Sequence, residues 1–233
     1  GIHTVTVGGG TAVLRSAVLD RPGAVTAVHG GPTLASHTLA PLVRPNVSLR
    51  RCGPNRLATA VLLPHHHDGS PLPVLMDPYG GPHASRVLQS HNAHCASQWF
   101  ADQGFAVVVA DGRGTPGRGS DWERSVLHDL ASPALDDQVE ALHAAAAEFP
   151  LDLSKVAIRG WSFGGYLAAL AVLRRPDVFH AAVAGAPVTE WRLYDTHYTE
   201  RYLGHPATSP QAYDDSRSEE HTSELQSRLH LVC

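Results

Sequence analysis

Lys155-Val156-Ala157-Ile158-Arg159-Gly160-Trp161-Ser162-Phe163-Gly164-Gly165 decides how the rest of the chain is read. KVAIRG is a short apolar run of strand type, and SFGGYLAALAVLRR has the composition of a helix that stops before Pro176. Between them lies a Gly-x-Ser-x-Gly pattern, Gly160 to Gly164, with Gly165 beyond it. A serine on so sharp a strand-to-helix turn is tolerated only where neighbouring side chains are absent, and Gly160 and Gly164 supply that room. The turn lifts the Ser162 hydroxyl above the sheet edge. It also leaves the Phe163 N–H, at a helix N-terminus, aimed at charge developing on a substrate oxygen. The competing reading is a serine that merely caps a helix above packing glycines.

Outward from this corner the chain alternates strand and helix. LPVLMDPY (72–79) and FAVVVAD (105–111) are apolar runs. NAHCASQWFADQG (92–104) and ALDDQVEALHAAAAEFP (134–150) read as helices closed by Gly104 and Pro150, and AAVAGAP (181–187) is another strand. Continuous apolar runs alternating with helices predict an α/β domain whose mostly parallel sheet is covered on both faces. Upstream, IHTVTV, TAVLRSAVL and AVTAVH are short β-type runs followed by turn residues. Three segments follow: 1–55 as the end of an all-β unit, 56–215 as the α/β domain, and 216–233 as a tail. That tail, SRSEEHTSELQSRLHLVC, has no strand-type run and little apolar periodicity. Its RSEEHTSELQS (217–227) reads like the translation of a sequencing-library adapter, foreign to the protein; the alternative is a genuine short polar helix.

Composition narrows the function classes. Eighteen Lys and Arg against 22 Asp and Glu give a net charge of −4, with no basic stripe to suggest nucleic acid or an anionic membrane. No apolar run is long enough to span a bilayer, and the start shows neither a signal-peptide pattern nor an initiator Met. Cys52, Cys95 and Cys233 are too few and too far apart for a disulfide framework, so a cytoplasmic setting is the expectation. His65-His66-His67 invites a metal reading. Adjacent residues of an extended chain point to opposite faces, which favours a solvated loop, and no cofactor or metal is expected.

A second oxyanion donor should come from the loop after an earlier strand, here Asp77-Pro78-Tyr79-Gly80-Gly81-Pro82. A tyrosine hydroxyl can donate there as an amide can, although the same residues would also close an ordinary tight turn. Downstream, Ala186-Pro187-Val188-Thr189-Glu190-Trp191 leads into Tyr194-Asp195-Thr196-His197-Tyr198-Thr199-Glu200-Arg201-Tyr202-Leu203-Gly204. With DGRGTPGRG (111–119) and Asp137-Gln138, these motifs resemble the prolyl oligopeptidase family, most closely its dipeptidyl peptidase IV branch, over about residues 56–213.

The resemblance implies an α/β-hydrolase fold preceded by the last strands of a β-propeller. It implies peptide substrates cleaved after Pro or Ala, with N-terminal dipeptides released, and leaves room for a homodimer of the intact parent. It assigns Ser162 as nucleophile, Tyr79 and the Phe163 backbone as oxyanion hole, and Phe163, Val188, Trp191, Tyr194 and Tyr198 as walls of the slot for the residue before the scissile bond. A flat, rigid, apolar slot suits proline. Phe163 stands where the family usually has tyrosine, keeping the ring and losing the hydroxyl. From spacing alone, Trp191, Tyr194 and Tyr198 could instead be one core face of a helix.

Serine chemistry also needs a histidine base and a carboxylate that orients it. By the resemblance, both lie farther along than Cys233, so the chain is expected to be truncated and inactive on its own. Asp214, Asp215, His221 and His230 stand in the right order but too near the serine. An acylaminoacyl peptidase or esterase of the same fold, or a non-catalytic interaction module, are the competing functions.

Overall fold

A computed structural model describes residues 1–218 and the backbone of 229–232. Its strands form two sheets. The smaller is an antiparallel meander of β1 (Ile2–Gly8), β2 (Thr11–Ala17), β3 (Ala24–Val28) and β4 (Thr33–Leu34) in chain order. The larger runs β11-β10-β9-β7-β8-β6-β5. Its members are β5 (Val47–Cys52), β6 (Leu57–Leu62), β7 (Leu72–Met76), β8 (Ala106–Asp111), β9 (Leu151–Trp161), β10 (Ala181–Gly185) and β11 (Leu229–Val232).

The central pairings β10–β9, β9–β7 and β7–β8 are parallel, while β6 and β5 join antiparallel at one end. This is the mostly parallel α/β sheet that the apolar runs predicted. β8 is buried along its whole length and presents residues to both faces of the sheet. Val108 faces a large cluster with Val74, Met76 and Ile158, roofed by α3 (Ser132–Ala146) and α4 (Phe163–Arg174). Val107 and Val109 face the other way, toward Ala60, Leu62, Leu75 and Ala101 of α1 (Cys95–Ala101), and the short α2 (Ser120–Arg124) follows β8 in the chain. Helices on both faces explain why these strands carry no polar alternation.

Two strands differ from the sequence expectation. The sequence groups β5 with the all-β segment 1–55, yet it pairs with β6 in the large sheet, Val47 opposite Leu62 and Cys52 opposite Leu57. Its Arg50 and Arg51 are exposed, which hid the strand among turn-like residues. Leu229–Val232 lies in the tail that was read as lacking a strand, and it pairs parallel with β10, Ala182 opposite Leu229. Four residues are too short a run for periodicity to register. The remainder of 217–227, from 219 on, lies outside the described residues.

The meander is tied to the large domain at few points. The Gly1 amino group donates to Gln89 Oε1 at 3.1 Å, Gly23 N–H to Asn92 Oδ1 at 3.0 Å, and His91 N–H to the Val18 carbonyl at 2.9 Å. No helix among the described residues is long and apolar enough to cross a membrane.

Candidate active site

Ser162 stands at the corner where β9 ends and α4 begins, with φ 57° and ψ −118°. That backbone conformation costs a non-glycine residue about 1–3 kcal/mol and persists only where the surroundings enforce it. The enforcement is visible on three sides. The Ser162 N–H donates to the Gly185 carbonyl at 2.9 Å, and the Ser162 carbonyl accepts from Tyr166 N–H at 2.9 Å. A methyl group on Gly160 would overlap the Gly164 backbone. One on Gly164 would sit 2.8 Å from the Pro78 carbonyl oxygen, and one on Gly165 would strike the Gly185 carbonyl. These glycines let β9, α4, β10 and the 78–82 loop approach backbone to backbone. The N-cap alternative weakens here, because the Ser162 side chain makes no capping hydrogen bond.

The same packing brings in Tyr79. Gly164 is the contact for the Tyr79 backbone, and a Cβ on Gly81 would meet the Tyr79 ring at 2.8 Å and the Phe163 ring at 2.7 Å. The Tyr79 and Phe163 ring centroids are 6.1 Å apart. Burial pushes the Tyr79 phenol above its ordinary value of 10.0, with Tyr194 and Tyr202 adding to the effect. A phenol so placed keeps its proton at neutral pH and remains a donor.

Beneath and beside Phe163 lies an aromatic group. Phe163 meets Tyr166 edge-on at 5.2 Å and Trp191 at 5.8 Å. Trp191 stacks on Tyr198 at 6.0 Å with 17° between planes and meets Tyr194 edge-on at 5.9 Å. Tyr194 and Tyr198 are themselves edge-on at 5.7 Å. Val188 packs against the same core. Each offset or edge-on pair adds about 0.5–1.5 kcal/mol beyond area burial, so the rings brace one another. Trp191 lies in a 3₁₀ turn (Trp191–Leu193) and Tyr198 in α5 (Thr196–Leu203), with Tyr194 extended between them. The single helical face that their spacing allowed is therefore not what forms.

All seven residues singled out from the sequence (Tyr79, Ser162, Phe163, Val188, Trp191, Tyr194 and Tyr198) thus come from three loops and helix starts that meet around one corner. Sequence reasoning missed several neighbours. Tyr166, fully buried, and the Trp191 indole both donate to the Ser216 carbonyl, the indole at 3.1 Å, so the end of α6 (Pro210–Ser216) supports the aromatic floor. Tyr202 packs on Tyr198 at 5.1 Å, and His83 meets Tyr198 edge-on at 5.3 Å while bonding the Tyr202 hydroxyl at 3.3 Å. The i to i+4 spacing of Tyr198 and Tyr202 was a signal for the former. A backbone carbonyl such as that of Ser216 leaves none.

The quoted motifs outside the corner are structural. Asp137 is fully buried and accepts from the Arg113 backbone and guanidinium, the latter at 2.9 Å, pinning the 111–119 loop. Burial raises the Asp137 carboxyl, and Arg113 works against that rise. Among the described residues, no histidine is hydrogen-bonded to Ser162. His83, His128 and His180 bond Tyr202, the Leu203 carbonyl and the Val156 N–H. Asp214 pairs with Arg192 at 2.9 Å and Asp215 accepts from Gln211 at 2.7 Å. His221 lies outside the described residues, and for His230 only the backbone is described. His65 bonds the Arg44 carbonyl at 2.8 Å and His67 accepts from the Gly69 N–H at 3.0 Å, on an open loop.

The model of the prolyl oligopeptidase family matches residues 92–233. Mouse dipeptidyl peptidase 8 is 42% identical over 151 residues, covering 62% of this chain and 17% of its own length. Dipeptidyl peptidase family member 2 of Caenorhabditis elegans is 34% identical over 168 residues, 71% of this chain and 20% of its own. The crystal structure of Porphyromonas gingivalis dipeptidyl peptidase 4 superposes with a TM-score of 0.81 at 25% identity, over 93% of this chain and 33% of that one. The chain spans about a fifth or less of the length of the curated relatives it matches. A glycine-packed serine corner, a tyrosine loop laid on it and an aromatic floor, together with these matches, place the chain in the prolyl oligopeptidase family, on its dipeptidyl peptidase IV-like branch.

Proposed function

We propose that the protein carrying this chain is a serine peptidase that cleaves peptide bonds after Pro or Ala, releasing N-terminal dipeptides through an acyl-enzyme on Ser162. The observation that carries the reading is the strained φ of 57° at Ser162, enforced by glycines that also bring Tyr79 against the same corner. Strain of this kind is retained where it holds a reactive group in place.

In this reading a histidine base takes the Ser162 hydroxyl proton as Oγ bonds to the substrate carbonyl carbon. The oxygen gains negative charge and accepts from the Tyr79 hydroxyl and the Phe163 N–H. The C–N bond then breaks, the amine leaves with the base's proton, and water reverses the sequence to free the acid. A prolyl ring, with no rotamers to lose, sits against Trp191, Tyr194 and Tyr198. The raised Tyr79 phenol predicts no loss of the oxyanion donor below about pH 10.

The test uses the full-length protein. An active-site fluorophosphonate labels Ser162, and Ser162→Ala abolishes both labelling and turnover of a Gly-Pro anilide. Absence of labelling at Ser162 would favour a non-catalytic module. Preference for simple esters, or for N-acylated over free-amine substrates, would favour an esterase or an acylaminoacyl peptidase. The 233-residue chain alone is expected to show no turnover; Ser162-dependent hydrolysis by it would overturn the need for a base outside the described residues.

A further inference from the structure

Asp77 is the last residue before the loop that carries Tyr79, and its carboxylate is 1% exposed. Burying a carboxylate is costly unless every lone pair finds a donor. Here the donors come from three separate elements. Arg86, at the far end of the same loop, grips it two-pronged, Nη1 to Oδ1 at 2.9 Å and Nη2 to Oδ2 at 3.0 Å, and Nη1 also donates to the Asp77 carbonyl at 2.6 Å. Ser97 Oγ of α1 donates to Oδ2 at 2.8 Å. Arg159, on β9 and in the run that ends at Ser162, brings Nε to 3.3 Å from Oδ1 and lies over the Phe100 ring at 4.3 Å.

The ends of the loop are fixed as well. Asp77 N–H donates to the Val108 carbonyl at 2.8 Å. At the exit, the backbone N–H groups of Arg86 and Val87 both donate to the buried Asp111 carboxylate at 2.9 Å. Residues 77–87 therefore form a closed strap. One carboxylate ties its entry to its exit through Arg86 and ties both to the nucleophile's strand through Arg159. Bidentate arginine–carboxylate pairs fix orientation as well as distance. Between the clamped ends stand Tyr79, Gly80 at φ 72° and His83 at φ 55°.

Resting on the peptidase reading above, we infer that Asp77 is a positioning residue: with Arg86 and Arg159 it sets the height of the Tyr79 hydroxyl above Ser162. A donor misplaced by a fraction of an ångström loses most of its effect on a developing oxyanion while substrate binding is nearly unchanged.

The test is a double-mutant cycle in the full-length protein on a Gly-Pro anilide, with melting temperature followed in parallel. Tyr79→Phe is expected to lower kcat about 100-fold, the loss of one oxyanion donor. Asp77→Asn, nearly isosteric, is expected to lower kcat about 10- to 100-fold with KM within about twofold. On the Tyr79→Phe background it should cost less than about threefold more, because no donor remains to be placed. If Tyr79→Phe lowers kcat as expected but Asp77→Asn is inert, or fully additive with it, the positioning inference falls and the peptidase reading stands. If Tyr79→Phe itself has no effect, the assigned oxyanion hole and the inference fall together. Should Asp77→Asn not fold, Arg159→Lys at the partly exposed partner enters the same cycle under the same criteria.

Discussion

β1 (Ile2–Gly8) and β8 (Ala106–Asp111) are both rich in valine, yet their surroundings are opposite. Val5 and Val7 keep 62% and 72% of their surface exposed, whereas Val107 and Val108 keep none. β1 pairs with one neighbour, β2, while β8 is bonded on both sides and roofed on both faces. A cleft of about 850 Å³ is lined by the meander, by residues 34–40 and by Leu88, Ser90 and Asn92 of the large domain. Burying a valine side chain contributes about 1.5–3 kcal/mol, so the same residue type is worth a large share of the fold in β8 and little in β1. The strained Ser162 corner sits on the side of the molecule that can sustain the cost. The contrast is between a sheet that supports chemistry and one that adds few buried contacts of its own.

The largest loss is expected at Gly160. Valine there must overlap the Gly164 backbone, where nothing flexible can yield. Gly160→Val is expected to destabilise the protein by about 4 kcal/mol or prevent folding, measured by urea denaturation. A valine at Gly9, in the turn between β1 and β2 with open space around it, would suffer only the strain of its φ of 55°. Equal losses at the two glycines would show that the corner is not specially packed.

A smaller effect isolates the strain itself. Ser162→Ala keeps a Cβ at φ 57° and Ser162→Gly removes it. Both lose the nucleophile, so their difference reports the backbone strain less the extra unfolded-chain entropy of glycine. The glycine variant is expected to be the more stable of the two by about 1 kcal/mol. A glycine variant less stable than the alanine variant would mean that the corner is relaxed.

Much of this was legible because it is local. The continuous apolar run of AVVVAD, the Ala-rich helix of α3 and the Gly-x-Ser-x-Gly corner each declare themselves within a few residues. So did the aromatic residues, although not their arrangement: a 3₁₀ turn and an extended Tyr194 interrupt what spacing allowed to be one helix. β5 went unread as part of the large sheet because Arg50 and Arg51 point to solvent at an edge. The clamp on Asp77 was invisible for another reason. Arg86 and Arg159 lie 9 and 82 positions away, and only the parallel register of β7 and β9, with Met76 opposite Ile158, carries Asp77 to Arg159. Long-range pairing of that sort is written in topology rather than in any window of sequence.

The smallest expected effect tests the exposed side. Val7 faces Ala12 across β1 and β2 and is open to solvent. Threonine has nearly the same shape and an equal preference for strands, and its hydroxyl would be hydrated in both folded and unfolded states. Val7→Thr is therefore expected to change stability by less than about 0.5 kcal/mol in this chain. The substitution gains meaning when repeated in the full-length protein. If another β-sheet packs over β1 there, the added hydroxyl is buried without a partner and the cost rises to about 1–3 kcal/mol. A cost near zero in both would leave the meander a bare surface. A cost only in the longer protein would show that these valines owe their identity to a face that residues 1–233 do not cover.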